Sequence, residues 1–228
     1  MSSSRPRRLV VLISGSGSNL QALIDALNTS ELPNTSIVLV VSNRKAAYGL
    51  QRAASAVPAI PTYYQALQPF LKQNPDKSRA DYDREVARVV RRANPDVVVL
   101  AGWMHVFGDG FLEEMETADD GSGDGAPAPK RIPVINLHPA LPGAFDGTHA
   151  IDRAYDAFQR GEITHSGVMV HHVVKEVDRG EPVLIRVVNM HHGEDKDAFE
   201  KRVHETEWKV IVEATRKVLD KIHPPPLQ

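Results

Sequence analysis

Short runs of consecutive apolar residues constrain the fold of this chain more than any other feature of its sequence. The runs are Leu9–Ser14, Ile37–Ser42, Val97–Ala101 and Ile132–Leu137. Strands that are apolar at successive positions, and not only at alternate ones, are typical of a sheet covered on both faces. Apolar residues at helical spacing separate these runs and predict helices through Leu20–Leu27, Gly49–Val57 and Tyr82–Ala93. This alternation predicts an α/β fold, a Rossmann-like, doubly wound and mostly parallel sheet with helices on both faces.

The rest of the chain is predicted to complete the same domain. Gly167–Val174 and Pro182–Val188 are typical of strands joined by a turn at Val177–Glu181, and a long helix is expected from about residue 197 to residue 222. Thr117–Lys130 is rich in Gly, Asp, Ala and Pro, and we expect it to be a flexible surface loop. We therefore predict one domain over residues 1–228.

The composition limits the chemistry that the chain can perform. It has no cysteine, so disulfides, thiolate metal sites and a cysteine nucleophile are excluded together. Its 27 Lys and Arg nearly balance 29 Asp and Glu, which is atypical of a nucleic-acid-binding protein. No apolar run approaches the roughly 20 residues of a membrane span, and we expect a cytoplasmic protein. Proton transfer must therefore come from carboxylates and from the ten histidines.

A glycine-rich loop, Gly15–Leu20, follows the first predicted strand. Leu20 stands where a dinucleotide-binding fingerprint has its third glycine, the second strand ends without a ribose-binding acid, and the lysine of a P-loop is absent. The backbone N–H groups and the hydroxyls of Ser16 and Ser18 suit a single phosphate monoester at a helix N-terminus. The alternative is a tight turn in which Ser18 or Asn19 caps the helix. The loop alone does not decide between the two.

Asn136 and His138 lie at the carboxyl end of the fourth predicted strand, where open α/β sheets bind ligands. Residues two apart on a strand face the same way, so both side chains can converge on one atom. An amide donor beside an imidazole suits a developing oxyanion, and Asp178 on the predicted turn can pair with His138 and favour the imidazolium. The alternative is that Asn136 and His138 only cap the loop that begins at Pro139.

Six segments of the sequence resemble the phosphoribosylglycinamide formyltransferase family. They are Val10–Ala26, Val41–Ala53, Ser78–Glu85, Pro95–Met104, Ile135–Gly147 and Val174–Val183. The Asn-x-His-Pro pattern with a downstream Asp resembles the pattern found in all formyl-folate transferases and hydrolases of this fold. The branch that acts on glycinamide ribonucleotide has a narrower motif, which the segment GSGSNLQ followed by SNR and GL resembles. The segment HPALPGAFDGT resembles the corresponding segment of the fungal members of that branch. The resemblance implies the formyltransferase fold and formyl transfer from 10-formyltetrahydrofolate to the amine of N1-(5-phosphoribosyl)glycinamide in de novo purine biosynthesis, without a metal.

The resemblance also implies roles for individual residues. The catalytic trio is Asn136, His138 and Asp178; the phosphate-binding positions are Gly17, Ser18 and Asn19; and Glu207 is the position that binds the ribose or the glycinamide end. The folate-binding positions are Arg79, Met104, His105, Val106, Phe107, Asn136, Val174, Lys175, Glu176, Val177 and Asp178. The N-terminal half is thus expected to bind the phosphate, and the C-terminal half to bind folate and catalyse the transfer.

The sequence departs from the family at two places near the folate. His105 stands where most relatives carry Arg, and Pro142–Asp146 replaces a loop that usually contains a lysine. Among the other histidines, His171 lies on the strand leading to Asp178 and can line the site. Structural or surface roles are expected for His149, His165, His191, His192, His204 and His223.

Three other functions fit parts of the pattern. A 10-formyltetrahydrofolate hydrolase would use the same trio with water as the nucleophile, but we expect it to carry a regulatory domain before the strand that begins at Leu9. A methionyl-tRNA formyltransferase is expected to need a C-terminal RNA-binding domain and a basic surface, and a non-catalytic nucleotide sensor would not need the complete trio. We therefore expect two small-molecule substrates, glycinamide ribonucleotide and 10-formyltetrahydrofolate, and a monomer or homodimer without nucleic-acid or membrane partners.

Overall fold

The computed structural model describes residues 5–116 and 131–224, so the loop predicted at 117–130 lies outside the described residues. The strands are β1 Arg7–Ile13, β2 Thr35–Ser42, β3 Thr62–Tyr64, β4 Val97–Leu100, β5 Val134–His138, β6 His165–His172 and β7 Pro182–Asn189. The helices are α1 Ser18–Ala26, α2 Tyr48–Ser55, α3 Leu67–Gln73, α4 Arg79–Arg92, α5 Asp109–Glu116, α6 Ala150–Gln159 and α7 Lys196–Ile222.

These strands form one seven-stranded sheet in the order β3-β2-β1-β4-β5-β6-β7. The first five strands along the chain pair in parallel, and β6 and β7 add antiparallel ladders beyond β5. The strand order reverses at β1, which has β2 on one side and β4 on the other. In open α/β sheets such a reversal leaves a crevice at the carboxyl ends of the strands, where ligands bind.

Alternate residues of β1 enter two separate apolar layers, one on each face of the sheet. Leu9, Val11 and Ile13 pack with α1 and α7, whereas Val10 and Leu12 pack with α4 and α5. All four residues from Leu9 to Leu12 are fully buried, because both faces are covered. The predicted α/β architecture is confirmed.

Two of the helices that form these layers, α4 and α7, begin where the sequence supplies a side-chain cap. A capping box starts α4, in which Ser78 and Asp81 exchange side-chain to backbone hydrogen bonds. The Asp195 carboxylate accepts from the Ala198 N–H at 2.8 Å at the start of α7. No helix of the described residues is long and apolar enough to cross a membrane.

Four elements were not anticipated from the sequence, namely β3, α3, α5 and α6. β3 has three residues, none of them buried, and α3 has no buried residue, so neither carries an apolar period. α6 buries mainly alanines, which give little hydrophobic signal. The strand expected at Gly167–Val174 begins at His165 and ends at His172, which leaves Val174 in the loop that leads to Asp178.

Candidate active site

A cleft of about 730 Å³ opens at the carboxyl ends of the central strands. The loops that follow β1, β4 and β5 contribute to its walls, together with the loop after β6 and one side of α7. Both clusters singled out in the sequence therefore line one space. The glycine loop is at its β1 end, and Asn136, His138 and Asp178 are at its β5 end.

The glycine loop turns sharply because two glycines meet at its back. Gly17 has φ +72°, and a Cβ on it would lie 2.5 Å from the Cα of Gly49, the second residue of α2. A Cβ on Gly49 would in turn lie 2.4 Å from Ile13 Cδ1. The GSGSN and GL motifs are thus two halves of one packing contact, which lets the loop lie directly on α2.

The helix N-terminus that follows this loop has no side-chain cap. Gly17 is the N-cap of α1, and no side chain caps the helix, so the alternative in which Ser18 or Asn19 caps it is wrong. Asn19 is buried, and its Oδ1 has no hydrogen-bond partner among the described residues. An N-terminus without a side-chain cap, beside an unsatisfied amide, suits an anion.

Asn136 and His138 share one face of β5, as their spacing predicts, and Asp178 joins them from the turn after β6. The Asn136 Nδ2 donates to Asp178 Oδ1 at 3.2 Å, and His138 Nδ1 lies 3.4 Å from Asp178 Oδ2. Asp178 has φ +56°, and its carboxylate is only 7% exposed. The side-chain constellation predicted from the sequence is therefore assembled in the structure.

A fourth side chain, His171, belongs to the same cluster. Its Nδ1 donates to the carbonyl of His172 at 2.9 Å, so Nε2 faces Asp178 Oδ1 at 3.3 Å and Asn136 Nδ2 at 3.2 Å. This placement follows from the register, because His171 pairs directly with Asn136 across β5 and β6. The sequence places His171 near the site but does not give this register.

The electrostatics of the cluster depend on burial. Desolvation lowers the pKa of His138 and outweighs the Asp178 carboxylate, which raises it. Asp178 pairs with His138 and favours the imidazolium, as expected, but burial outweighs this effect, and the neutral ring is favoured at pH 7. Burial raises the pKa of Asp178, but hydrogen bonds from His171 and the Gly147 N–H outweigh it, so the net shift is downward. Asp178 is thus an anion between two histidines.

The unusual loop Pro142–Asp146 holds this anion in place. Asp146 forms a 2.6 Å ion pair with Arg179, the residue after Asp178, and Gly147 N donates to Asp178 Oδ2 at 2.8 Å. Arg153 donates to the carbonyls of Phe145 and Asp146 and so ties the loop to α6. The loop that departs from the family pattern therefore supports the turn that carries Asp178.

The segment after β4 forms the wall predicted to bind folate. Met104, His105, Val106 and Phe107 all line the cleft. Asp83 of α4 contacts His105 Nε2 at 2.6 Å and accepts from Gly108 N at 2.9 Å; Asp83 is buried, and the His105 side chain is 10% exposed. His105 also makes edge-to-face contacts with the rings of Tyr82, Trp103 and Phe107.

Only some of the other predicted folate-binding residues line the cleft. Val174, Lys175 and Val177 line the cleft, and Lys175 reaches across to Asp109 at 2.9 Å. Arg79 and Glu176 are not on the wall; Arg79 instead donates to the carbonyl of Val106 at 2.5 Å. Any contact of Arg79 or Glu176 with folate stays a prediction.

Glu207 enters the cleft from α7 together with a histidine for which only a structural or surface role was expected. Glu207 is buried, and its Oε2 lies 2.6 Å from His204 Nδ1. This hydrogen bond raises the pKa of His204 against the opposing effect of burial. The spacing of three residues on one helix was the signal that could have linked the two. Among the described residues, no group of three or more His, Asp or Glu is arranged to hold a metal ion.

Comparison with known proteins gives the class to which this fold and site belong. A family model described as formyl transferase matches residues 7–118 and 127–215. The chain therefore belongs to the formyl transferase family.

Within that family, several relatives are named phosphoribosylglycinamide formyltransferase. The chain is 45% identical over 213 residues to the phosphoribosylglycinamide formyltransferase of Schizosaccharomyces pombe, covering 92% of this chain and 96% of the relative. It is 42% identical over 227 residues to that of Saccharomyces cerevisiae, covering 95% and 99%. A crystal structure of glycinamide ribonucleotide transformylase 1 from Geobacillus kaustophilus has a TM-score of 0.75 at 32% identity, covering 94% and 99%. These similarities confirm the resemblance to phosphoribosylglycinamide formyltransferases that the motifs indicated.

Proposed function

We propose that this chain transfers the formyl group of 10-formyltetrahydrofolate to the amino group of N1-(5-phosphoribosyl)glycinamide in purine biosynthesis. The observation that carries the proposal is one cleft with an anion-binding loop at one end and the Asn136, His138 and Asp178 cluster at the other. A phosphorylated amine can be held by its phosphate at the first end while its nitrogen reaches the second. The names of the relatives described above support this choice of substrate.

The wall between β4 and β6 suits the ring system of the formyl donor. Exposed apolar side chains line it, namely Met104, Val106, Val174 and Val177. Such a surface with a few polar groups at its edge is typical of a site for a flat heterocyclic ligand. In this proposal Lys175, Phe107 and His105 complete the folate site, and Arg79 supports it by holding the Val106 carbonyl. The reaction uses no metal.

His138 acts as the base for the attacking amine. Its resting form is neutral because burial lowers its pKa, and its Nε2 has no partner among the described residues. As the amine nitrogen bonds to the formyl carbon, the amine proton passes to Nε2. The imidazolium that results is stabilised by Asp178, and it returns the proton to the folate nitrogen as the carbon–nitrogen bond to folate breaks.

Asn136 stabilises the negative charge that develops on the formyl oxygen. Its Nδ2 donates to Asp178 and lies 3.2 Å from His171 Nε2, and in this proposal the N–H that faces His171 turns to the oxyanion when the substrate binds. Glu207 and His204 line the same cleft, and we assign Glu207 to the ribose or glycinamide end of the substrate. The single domain, the cytoplasmic location and the monomeric or homodimeric state stay predictions from the sequence.

One assay separates this function from the hydrolase alternative. The purified chain is mixed with 10-formyltetrahydrofolate, with and without the ribonucleotide, and the release of tetrahydrofolate is followed. A third reaction contains the glycinamide riboside, which keeps the amine but lacks the phosphate. We expect release only with the ribonucleotide, with formylated ribonucleotide as product, and much slower release with the riboside. Release that ignores the ribonucleotide would overturn the proposal in favour of the hydrolase.

A further inference from the structure

Arg44 lies at the phosphate end of the cleft without an assigned role. It follows β2 by two residues, and Ser42 at the end of β2 pairs with Ile13, the last residue of β1 before the glycine loop. Arg44 is exposed and lines the same cleft as Gly15–Asn19. In the part of the chain that the structure describes, no hydrogen bond or ion pair engages its guanidinium.

The backbone of Arg44 is nevertheless fixed. The Ser42 hydroxyl donates to the Arg44 carbonyl at 2.9 Å and accepts from the Arg44 N–H at 3.1 Å. The neighbouring Asn43 side chain accepts from the Ser14 hydroxyl at 2.7 Å, which ties this corner to the strand that leads into the glycine loop. The free side chain of Arg44 therefore extends from an anchored position.

The other cations near the cleft are already engaged. Lys175, the only other Lys or Arg on the described walls, pairs with Asp109 at 2.9 Å. Arg52, behind the glycine loop, donates to the Ser16 carbonyl at 2.9 Å and to Gln21 Oε1 at 3.2 Å. Arg44 is thus the cation of these walls whose charge no protein group of the described chain neutralises.

A phosphate monoester carries about −1.5 to −2 charges at pH 7, and the glycine loop offers only neutral donors. We propose that Arg44 binds the phosphate of the ribonucleotide substrate and supplies the positive charge that the loop lacks. Guanidinium groups suit phosphate because their N–H donors match two of its oxygens. This assignment rests on the proposed function, because it takes the phosphorylated amine as the substrate at this end.

The test compares Arg44→Gln with Lys45→Gln, which removes the same charge from the next exposed residue, one that does not line the cleft. We expect Arg44→Gln to raise the KM for the ribonucleotide about 5- to 20-fold, with kcat and the KM for 10-formyltetrahydrofolate unchanged. Lys45→Gln is expected to behave as the unchanged protein does, and Arg44→Lys to recover most of the loss.

Two further measurements report on charge and not on structure. Added salt is expected to lower kcat/KM for the ribonucleotide less steeply in Arg44→Gln than in the unchanged protein. Inorganic phosphate is expected to compete with the ribonucleotide, and more weakly in Arg44→Gln. Equal KM values and equal salt slopes for the two Gln variants would overturn the role of Arg44. If Arg44→Gln is less stable to heat, Arg44→Lys decides, because failure to recover the ribonucleotide KM then counts against the proposal. Failure of the unchanged protein to formylate the ribonucleotide would instead refute the proposed function.

Discussion

The two ends of the cleft are built in different ways. At the glycine-loop end, backbone fit dominates: Gly17 lies against Gly49, and α1 begins without a side-chain cap. At the other end, which we propose to be catalytic, Asp178 contacts two histidines, an amide and a backbone N–H, so the side chains fix each other. Substitutions at the first end should therefore act through steric fit and charge. Substitutions at the second end should act through the proton affinities of the side chains.

The largest effect is expected from Asp178→Asn, which tests whether the catalytic end depends on charge. Loss of the anion leaves the imidazolium of His138 without its stabilising partner, while Asn keeps the size and hydrogen-bonding capacity of the side chain. We expect kcat to fall about 10²- to 10³-fold, as for removal of an oxyanion-hole donor, with both KM values little changed. Steady-state kinetics with each substrate varied in turn measure this.

A matched control is Asp109→Asn, which removes an exposed carboxylate that pairs with Lys175 on the rim of the same cleft. It is expected to retain most of the turnover, since exposed ion pairs contribute little. If Asp178→Asn keeps a turnover similar to that of the control, Asp178 does not serve the proton transfer assigned to it.

Gly17→Ala tests whether the other end depends on backbone fit. The new Cβ would lie 2.5 Å from Gly49 Cα in a residue with φ +72°. Crowding costs about 1–3 kcal/mol and the left-handed conformation a further 1–2 kcal/mol or so, so the free energy of unfolding should fall by the combined amount. Denaturant unfolding measures this loss.

Gly193→Ala separates the two contributions, because Gly193 has φ +82° and nothing lies within 4 Å of the added Cβ. Only the conformational cost applies there, so its loss of stability should be clearly smaller. Equal losses for the two variants would show that the contact with Gly49 is loose and that the loop does not depend on it.

Asp83→Asn tests the wall between the two ends. Asp83 holds both the His105 ring and the Gly108 N–H, so its charge fixes the Met104–Phe107 segment. We expect the KM for 10-formyltetrahydrofolate to rise about 5- to 20-fold from the loss of a charge-assisted hydrogen bond, with kcat and the ribonucleotide KM unchanged. Glu85→Gln, which breaks an exposed pair with Arg92 on the same helix, is the control. A parallel rise in both KM values would indicate general loosening of the fold and not positioning of the folate wall.

The sequence predicts the parts of this molecule that depend on local pattern. The apolar runs gave β1, β2, β4 and β5, and the i, i+2 spacing put Asn136 and His138 on one face. The contact between Gly17 and Gly49 was not predictable, because it joins residues whose separation is set by the packing of α2 against β1.

The position of His171 in the cluster was also beyond what the sequence could predict. Its membership of the catalytic cluster requires knowing that it pairs with Asn136 across an antiparallel ladder, and a shift of one residue would turn it to the other face. The resting charge of His138 also depended on tertiary structure. The nearby carboxylate raises the pKa of His138, as the sequence suggests, but burial, which only the structure shows, lowers it more.

The smallest expected effect concerns His138 and His204, two histidines of the cleft whose pKa values are shifted in opposite directions. Burial lowers the pKa of His138, whereas the Glu207 carboxylate raises the pKa of His204. A histidine whose pKa is raised on folding stabilises the fold fully below about pH 6.5, its unfolded value, and this stabilisation is lost as the pH rises through the folded pKa. His204→Gln should therefore destabilise the protein more at pH 6 than at pH 8.5.

The difference is expected to stay below about 1 kcal/mol, because the His204 side chain is 38% exposed and solvent screens the pair. Denaturant unfolding at the two pH values measures it, and the same substitution in a Glu207→Gln background isolates the pair. Without the carboxylate, the pH-dependent part should shrink, although Glu200 at 3.3 Å retains a fraction. A destabilisation that is the same at both pH values would mean that Glu207 does not hold a proton on His204. The pKa values of the two histidines would then not be shifted in opposite directions.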